Sequence, residues 1–298
     1  MDTQAPALNF PIGNLNGPSE LDVESVEMIP GSASALYGPN AFNGILLVNS
    51  KSPFEYQGLS ASLKTSLNHI GQSDLDADGQ KIGPSSAQPM YEGAFRFAKA
   101  YKNRFAFKVA MSYNQATDWY GTNLQDRLAS RKPAGFSANP GADRIHSFGD
   151  EVSVNLALVG LSSAFVQGIT QGGLGAYLND LPNMVVSRTG YNERDLVDYG
   201  AKNFKTNIGL HYRITDKMEL LYNLNYGSGT SIYTGAQRYS LRNFNIQQHK
   251  LELKGDNFFL RGYTTIENSG ESYIADLAGV LINTWDVNTQ AFDPSKNG

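Results

Sequence analysis

The sequence predicts an all-β protein with a small α+β piece near its N-terminus. Three observations carry this. From position 58 onward, segments of about ten residues alternate apolar and polar side chains, the pattern of strands with unlike faces. The connections between those segments run short and long in turn. The chain also combines low charge, 17% Asp, Glu, Lys and Arg, with 11% aromatic residues, 16 Tyr and 15 Phe among them. A soluble globular surface normally carries more charge than this.

The stretch 23–51 is the α+β piece. Val23–Ile29 interleaves β-branched and acidic residues, as a half-buried strand does. Pro30-Gly31 ends it. Ser32–Leu36 suits one or two helical turns, with Ser32 as N-cap. Gly38, Pro39, Asn40 and Asn43-Gly44 punctuate a loop, and Ile45–Val48 is a short apolar strand. Before it, residues 1–22 are rich in Pro, Gly and Asn, with Asn9–Ile12 as a short strand. After it, Ser52–Tyr56 reads as a linker.

This stretch resembles the C-terminal end of the plug domain of TonB-dependent outer-membrane receptors. The matching residues are Val23, Glu24, Ser25, Val26 and Glu27, then Gly31, Ala33, Ser34, Ala35, Leu36, Tyr37 and Gly38. Ala41, Phe42, Asn43, Gly44, Ile45 and Lys51 complete the match. A β-α-β piece of a soluble α/β domain is the alternative, and the period-two segments downstream argue against it.

Seven such segments follow, at 59–69, 91–101, 104–114, 203–214, 218–230, 245–254 and 257–268. The first sets Leu59, Ala61, Leu63, Thr65 and Leu67 against Ser60, Ser62, Lys64, Ser66 and Asn68. The third sets Phe105, Phe107, Val109, Met111 and Tyr113 against Ala106, Lys108, Ala110, Ser112 and Asn114. The last two alternate less cleanly. Tight turns are expected at 102–103, 215–217 and 255–256. Long loops are expected at 70–90, 115–202, 231–244 and from 269 onward. Short turns at one end and long loops at the other suit an antiparallel transmembrane barrel. A soluble sandwich would turn the same apolar face inward. Loop 115–202 is too long to lack structure, and Val152–Val166 within it suits an amphipathic helix or an extra strand.

The resemblance implies the organisation: residues 1–56 as the C-terminal part of a plug, and 57–298 as the N-terminal part of the barrel, with 115–202 its largest external loop. Barrels of this class have about 22 strands around a plugged lumen, so this chain is expected to be a fragment. It also lacks a basic, then apolar, leader. The family imports ferric siderophores, haem, vitamin B12 or glycans. TonB, the energy-coupling partner, acts through the part of the plug missing here. The expected partners are therefore TonB, a small-molecule or glycan cargo and outer-membrane lipid. The alternative is a surface binding protein or adhesin without transport.

Other chemistry is weakly marked. A net charge of -4 argues against nucleic acid, and with 0 Cys there is neither disulfide scaffold nor cysteine zinc site. Asp74, Asp76 and Asp78 before Gly79 imitate the start of a calcium loop, but the twelfth position, Ser85, is not the required Glu. His69, His146, His211 and His249 lack metal spacing and suit lumen or loop positions. Gly173–Gly175 and Gly227–Gly229 are not phosphate loops. No catalytic pair stands out, so no enzyme is expected. The inward faces carry Lys64, Arg96, Lys108, Lys205, Arg213, Lys250 and Arg261 against Glu219, Glu252 and Glu267. They either attract an anionic cargo or bond to the plug.

Overall fold

A computed structural model describes residues 4–5, 10–13, 15–32, 41, 44–84, 86–128, 139–159, 182–235, 237–286 and 291–292. The fold is all-β, 60% strand and 8% helix. In chain order the strands are β1 (Gln4–Ala5), β2 (Phe10–Pro11), β3 (Val23–Pro30), β4 (Gly44–Ser50) and β5 (Gly58–Asn68), then β6 (Ser73–Leu75) and β7 (Lys81–Pro84). Next come β8 (Gln88–Tyr101), β9 (Phe105–Thr117), β10 (Ser147–Phe148), β11 (Ser153–Asn155), helix α1 (Leu156–Val159), β12 (Val185–Ser187), β13 (Tyr191–Asn192) and helix α2 (Glu193–Leu196). The chain continues through β14 (Gly200–Thr215), β15 (Met218–Thr234), β16 (Arg238–Gly255), β17 (Phe259–Asn268), β18 (Tyr273–Ile274), helix α3 (Ala275–Ile282), β19 (Trp285–Asp286) and β20 (Ala291–Phe292).

One antiparallel sheet dominates, in the order β17-β16-β15-β14-β9-β8-β5, with β18 against β16. Its seven long strands are the seven period-two segments, each beside its sequence neighbour. Loop 115–202 leaves this order intact, because β14 returns beside β9 in unbroken register from Gly200↔Thr117 to Tyr212↔Phe105.

That register aligns the two faces across the whole sheet. Leu59, Phe97, Val109, Ile208, Leu224 and His249 form one row. Leu63, Leu67, Phe95, Tyr91, Tyr113, Leu210, Tyr212 and Leu251 share that face and are exposed. The opposite face buries small and polar residues: Ala98, Ala106, Ala110, Arg96, Lys108, Asn203, Asn207 and Gln248. The sheet is therefore inverted, with its apolar side outside. Aromatic residues gather at both ends of the outer face. Tyr101, Phe105 and Tyr212 stand in register near the tight turns, and Tyr113 pairs with Phe204 towards the other end. Between them aliphatic Val109, Ile208 and Leu224 alternate with Phe95, Phe97, Phe107, Tyr222 and Tyr226.

The N-terminal segment crosses the inner face. Ile12 and Leu15 are fully buried with Leu241, Phe244 and Ile246 of β16. The Ser19 amide donates to Asn207 Oδ1 of β14 at 3.0 Å. Beyond it, Asp22 reaches β9 and β8. The hairpin β3–β4 then projects away, paired antiparallel from Val23↔Ser50 to Pro30↔Gly44.

Several expectations need correction. Residues 231–244 are not a long loop: β15 and β16 continue through them and turn only at Gly235–Gln237. The register shifts between Gly229 and Ser231, and Asn243 takes φ 52°, so the period-two signal loses phase there. In the sixth segment Ile246 turns inward because Ile12 and Leu15 take apolar partners on that face; the mixed faces of 257–268 in β17 have no such contact. The strand at 23–29 is not half-buried: Val26 and Met28 are 55% and 77% exposed. Residues 52–56 are not a free linker but a turn, with the Tyr56 amide donating to Ser52 O at 2.9 Å and Pro53 fully buried. His249 is not a lumen or loop residue; it sits on the outer face, its Nδ1 2.9 Å from the Tyr222 hydroxyl. As expected, 115–202 is folded, with β11 paired to β12 and with α1 and α2, while 70–90 carries the hairpin β6–β7. Within Val152–Val166 a strand gives way to the single helical turn α1, and 160–166 lie outside the described residues.

Gly227 of β15 shows how closely the segment approaches. A Cβ there would lie 1.5 Å from the Leu15 carbonyl oxygen. Gly227→Ala is expected to push the segment off the sheet and cost about 1–3 kcal/mol. A lower unfolding midpoint and faster thermolysin cleavage before residue 30 would register this; unchanged values would contradict the packing described.

Candidate functional site

The site has a base where the N-terminal segment meets the sheet, a cavity above it and a pocket in the folded loops. At the base, Asp22 ends a 3-10 turn, Glu20–Asp22, and is 2% exposed. Arg96 Nε donates to its Oδ1 and Lys108 Nζ to its Oδ2, each at 2.7 Å. Both cations make a second bond to the same stretch. Arg96 Nη1 reaches Tyr56 O at 2.7 Å and Lys108 Nζ reaches Lys51 O at 2.9 Å. The Lys51 amide donates to Asp22 O and its Nζ to Leu21 O. A buried carboxylate is tolerated only with such pairing. Lys64 adds an ion pair to Glu20, and Arg213 lies 3.9 Å over the Phe54 ring.

The cations of the inner face are thus largely taken. Lys250 and Arg261 pair with Glu252, and Glu219 with His211. Their bonding favours the structural role over an open basic lumen.

Of the residues singled out in the plug-like stretch, Lys51 is part of the anchor. Glu27 Oε1 accepts from Asn49 Nδ2 on the projecting hairpin, and Ala41 is buried. Gly31 and Gly44 bracket the hairpin's end with φ +88° and +127°. A Cβ at Gly44 would meet Ile29 O at 2.8 Å, so both space and backbone require glycine. Ala35, Tyr37 and Gly38, with most of the expected helix, lie outside the described residues.

The structure does not gather the three aspartates into one cluster. Asp74 is held by Arg194 at 2.7 Å, and Asp76 Oδ1 accepts the amides of Asp78 and Gln80 at 2.9 Å. No group of three acidic, His or Cys side chains that could hold a metal occurs among the described residues. Ser85 lies outside them. The reason is local: an Asx turn closes the β6–β7 hairpin and spends the carboxylate on backbone amides.

Above Glu20 and Leu21 is a polar cavity of about 550 Å³, bounded by Asn68, Glu92, Asn203, Lys205 and Trp119. Trp119 also borders a second pocket of about 450 Å³, with Tyr120, His146, Glu193, Arg238 and Asp276. This pocket belongs to the loops at the end opposite the tight turns. Phe148, Val197, Tyr199, Ile232 and Ala275 form the small core beneath it. Glu193, fully buried, accepts from the Tyr199 hydroxyl at 2.6 Å and from Arg238 Nη2 at 2.9 Å. Burial and the Glu193 carboxylate push the Tyr199 hydroxyl well above its ordinary pKa. Burial also raises Asp150, Glu151 and Asp276. It lowers His146, against the nearby Glu193 and together with Arg238 and Arg127.

Sequence reading found Arg96 and Lys108 as inward cations but missed their shared partner. Asp22 lies 74 and 86 residues from them, and no local pattern marks it. Trp119, Glu193 and Arg238 were missed for the same reason. No protein-family model, curated protein or solved structure matches this chain.

Two measurements test this geometry. Asp22→Ala leaves Arg96 and Lys108 buried without a counter-charge, and is expected to cost about 3–5 kcal/mol. Replacing both cations by Met in that background should restore part of the loss, read as the urea midpoint. The second concerns His146, whose Nδ1 accepts the Asn123 amide at 2.9 Å. Its folded pKa lies below the ordinary 6.5, so the folded ring binds a proton less tightly than the unfolded one. The loop cap should hold constant stability above pH 6.5 and weaken as pH falls below it. Hydrogen exchange at the Asn123 amide should accelerate there, and His146→Gln should remove that dependence.

Proposed function

We propose that this chain is the plug-and-wall part of a TonB-dependent outer-membrane receptor that imports a scarce substrate. One observation carries the reading: a broad sheet with an exposed apolar outer face and a polar inner face covered by its own N-terminal segment. In water such a face exceeds the apolar patches that monomers expose. In lipid it is the stable arrangement, and aromatic residues at both ends suit the two membrane interfaces. No helix among the described residues is long and apolar enough to cross a membrane, which says nothing of strands.

The sheet is open among the described residues, with β5 and β17 at its edges. Lipid offers no partners for edge amides and carbonyls. The reading therefore takes the sheet as one sector of a closed barrel, about seven strands of the 22 implied by the family resemblance. The tight turns would face the periplasm and the folded loops the exterior. Cargo would bind at the loops and pass along the inner face once TonB's pull frees the segment anchored at Asp22. Such transport needs no covalent chemistry, and the reading assigns none. The cargo classes remain ferric siderophore, haem, vitamin or glycan.

Flotation with lipid vesicles after refolding tests it. The protein should float with the lipid. Leu224→Arg, at mid-height of the outer face, should oppose insertion by about 2–4 kcal/mol, whereas Ser228→Arg, nearer the rim, should cost little. A chain that stays in the aqueous fraction without detergent, indifferent to both changes, would defeat the proposal.

A further inference from the structure

The pocket beside Trp119 is built from groups that ask for a particular ligand chemistry. Trp119 is 59% exposed, while its backbone oxygen is held by Arg238 Nη2 at 3.0 Å and its ring lies 5.2 Å from that of His69. An aromatic ring is thus fixed from behind and open in front. Facing the same pocket are Glu193 and Asp276. Glu193 Oε2 and Asp276 Oδ1 are buried and have no hydrogen-bond partner among the described residues. Buried acceptors without donors are costly, so each of these two carboxylates lacks a donor on its pocket-side oxygen.

The charges of the pocket cancel. Glu193 and Asp276 carry two negative charges; Arg238 and Arg127, which also border it, carry two positive ones. Arg238 is already paired with Glu193, and Arg127 with Asp143. His146 adds no charge. Its Nδ1 accepts a backbone N–H, which only the neutral ring can do, and the proton then sits on Nε2. An anionic chelate would bring further acceptors against the two unpartnered carboxylate oxygens. A cation would meet Asp276 alone, since Glu193 is already paired with Arg238 and Arg127 with Asp143. A neutral ligand with many hydroxyl donors and an apolar face meets each requirement.

We infer that this pocket binds a saccharide unit, with its C–H face on Trp119 and its hydroxyls donating to Glu193 and Asp276. The volume of about 450 Å³ accommodates a small ligand of this kind. The inference rests on the importer reading for its meaning as cargo recognition, but not for the binding itself.

The test uses the full chain in lipid vesicles or detergent. Maltose, cellobiose and N,N′-diacetylchitobiose are titrated while tryptophan emission is followed, with ferric citrate and putrescine as anionic and cationic counter-probes. Trp285→Phe removes the other of the 2 tryptophans. At least one disaccharide should give a saturable change below about 10 mM, weakened about tenfold by Trp119→Ala in a calorimetric titration. Gln237→Ala, on an exposed side chain lining the pocket, should weaken it several-fold and serves as the second variant. The inference is overturned if no disaccharide gives a saturable response, if the response survives both substitutions, or if only a counter-probe binds. Flotation of the same preparation separates the two readings. Floating without saccharide binding removes this inference alone; binding without floating removes the membrane reading alone.

Discussion

The constraint on which the rest depends is the inversion of the sheet. A strand's side chains alternate by geometry, so each strand must send one set inward and one outward. Here most small and charged residues go inward and most large apolar ones outward from β5 to β15, while β16 turns Leu241, Phe244 and Ile246 inward against the N-terminal segment. The outer face then demands an apolar surrounding, and the inner face demands hydrogen-bonding partners. On the proposed reading lipid meets the first demand. The protein's own N-terminal segment meets much of the second.

The segment meets it with charge more than with apolar area. Asp22 collects two cations from adjacent strands, and those cations continue to the carbonyls of Tyr56 and Lys51. Such a cluster holds one geometry firmly and tolerates no half-bonded state, because each buried charge would lose its compensation. Apolar packing of Ile12 and Leu15 at the far side of the sheet, against β16, is less directional. The polar cluster, the apolar contact and the bonds of Ser19 to Asn207 and of Glu20 to Lys64 together hold the segment on the inner face.

The loops follow a different logic. Their core of Phe148, Val197, Tyr199, Ile232 and Ala275 is small, and it is shared between loop residues and the extended end of β15. Buried Glu193 joins the two through Arg238 and Tyr199. The pocket beside it is thus a product of long hairpins that rise beyond the sheet, which explains why a reading that ended those strands at 230 and 245 left its residues unassigned.

The sequence by itself determined the seven strands, their order, their two faces and the two short strands near 23–29 and 45–48. It did so because alternation and turn chemistry are local, and a tight turn forces neighbours in sequence to be neighbours in space. Where the chain left period two, local reading failed. The register shift after Gly229 hid the upper hairpin, and the apolar inner patch of β16 resembled noise. An aspartate run imitated a cation loop until Arg194 and backbone amides proved to hold it. Tertiary structure alone decided that Asp22 meets Arg96 and Lys108, that residues 52–56 pack on the inner face, and that Trp119, Glu193 and Asp276 share a pocket. Each of these contacts joins strands or loops far apart in sequence. Their partners are chosen by register and by the need to pair buried charge, and no spacing within one segment records that choice.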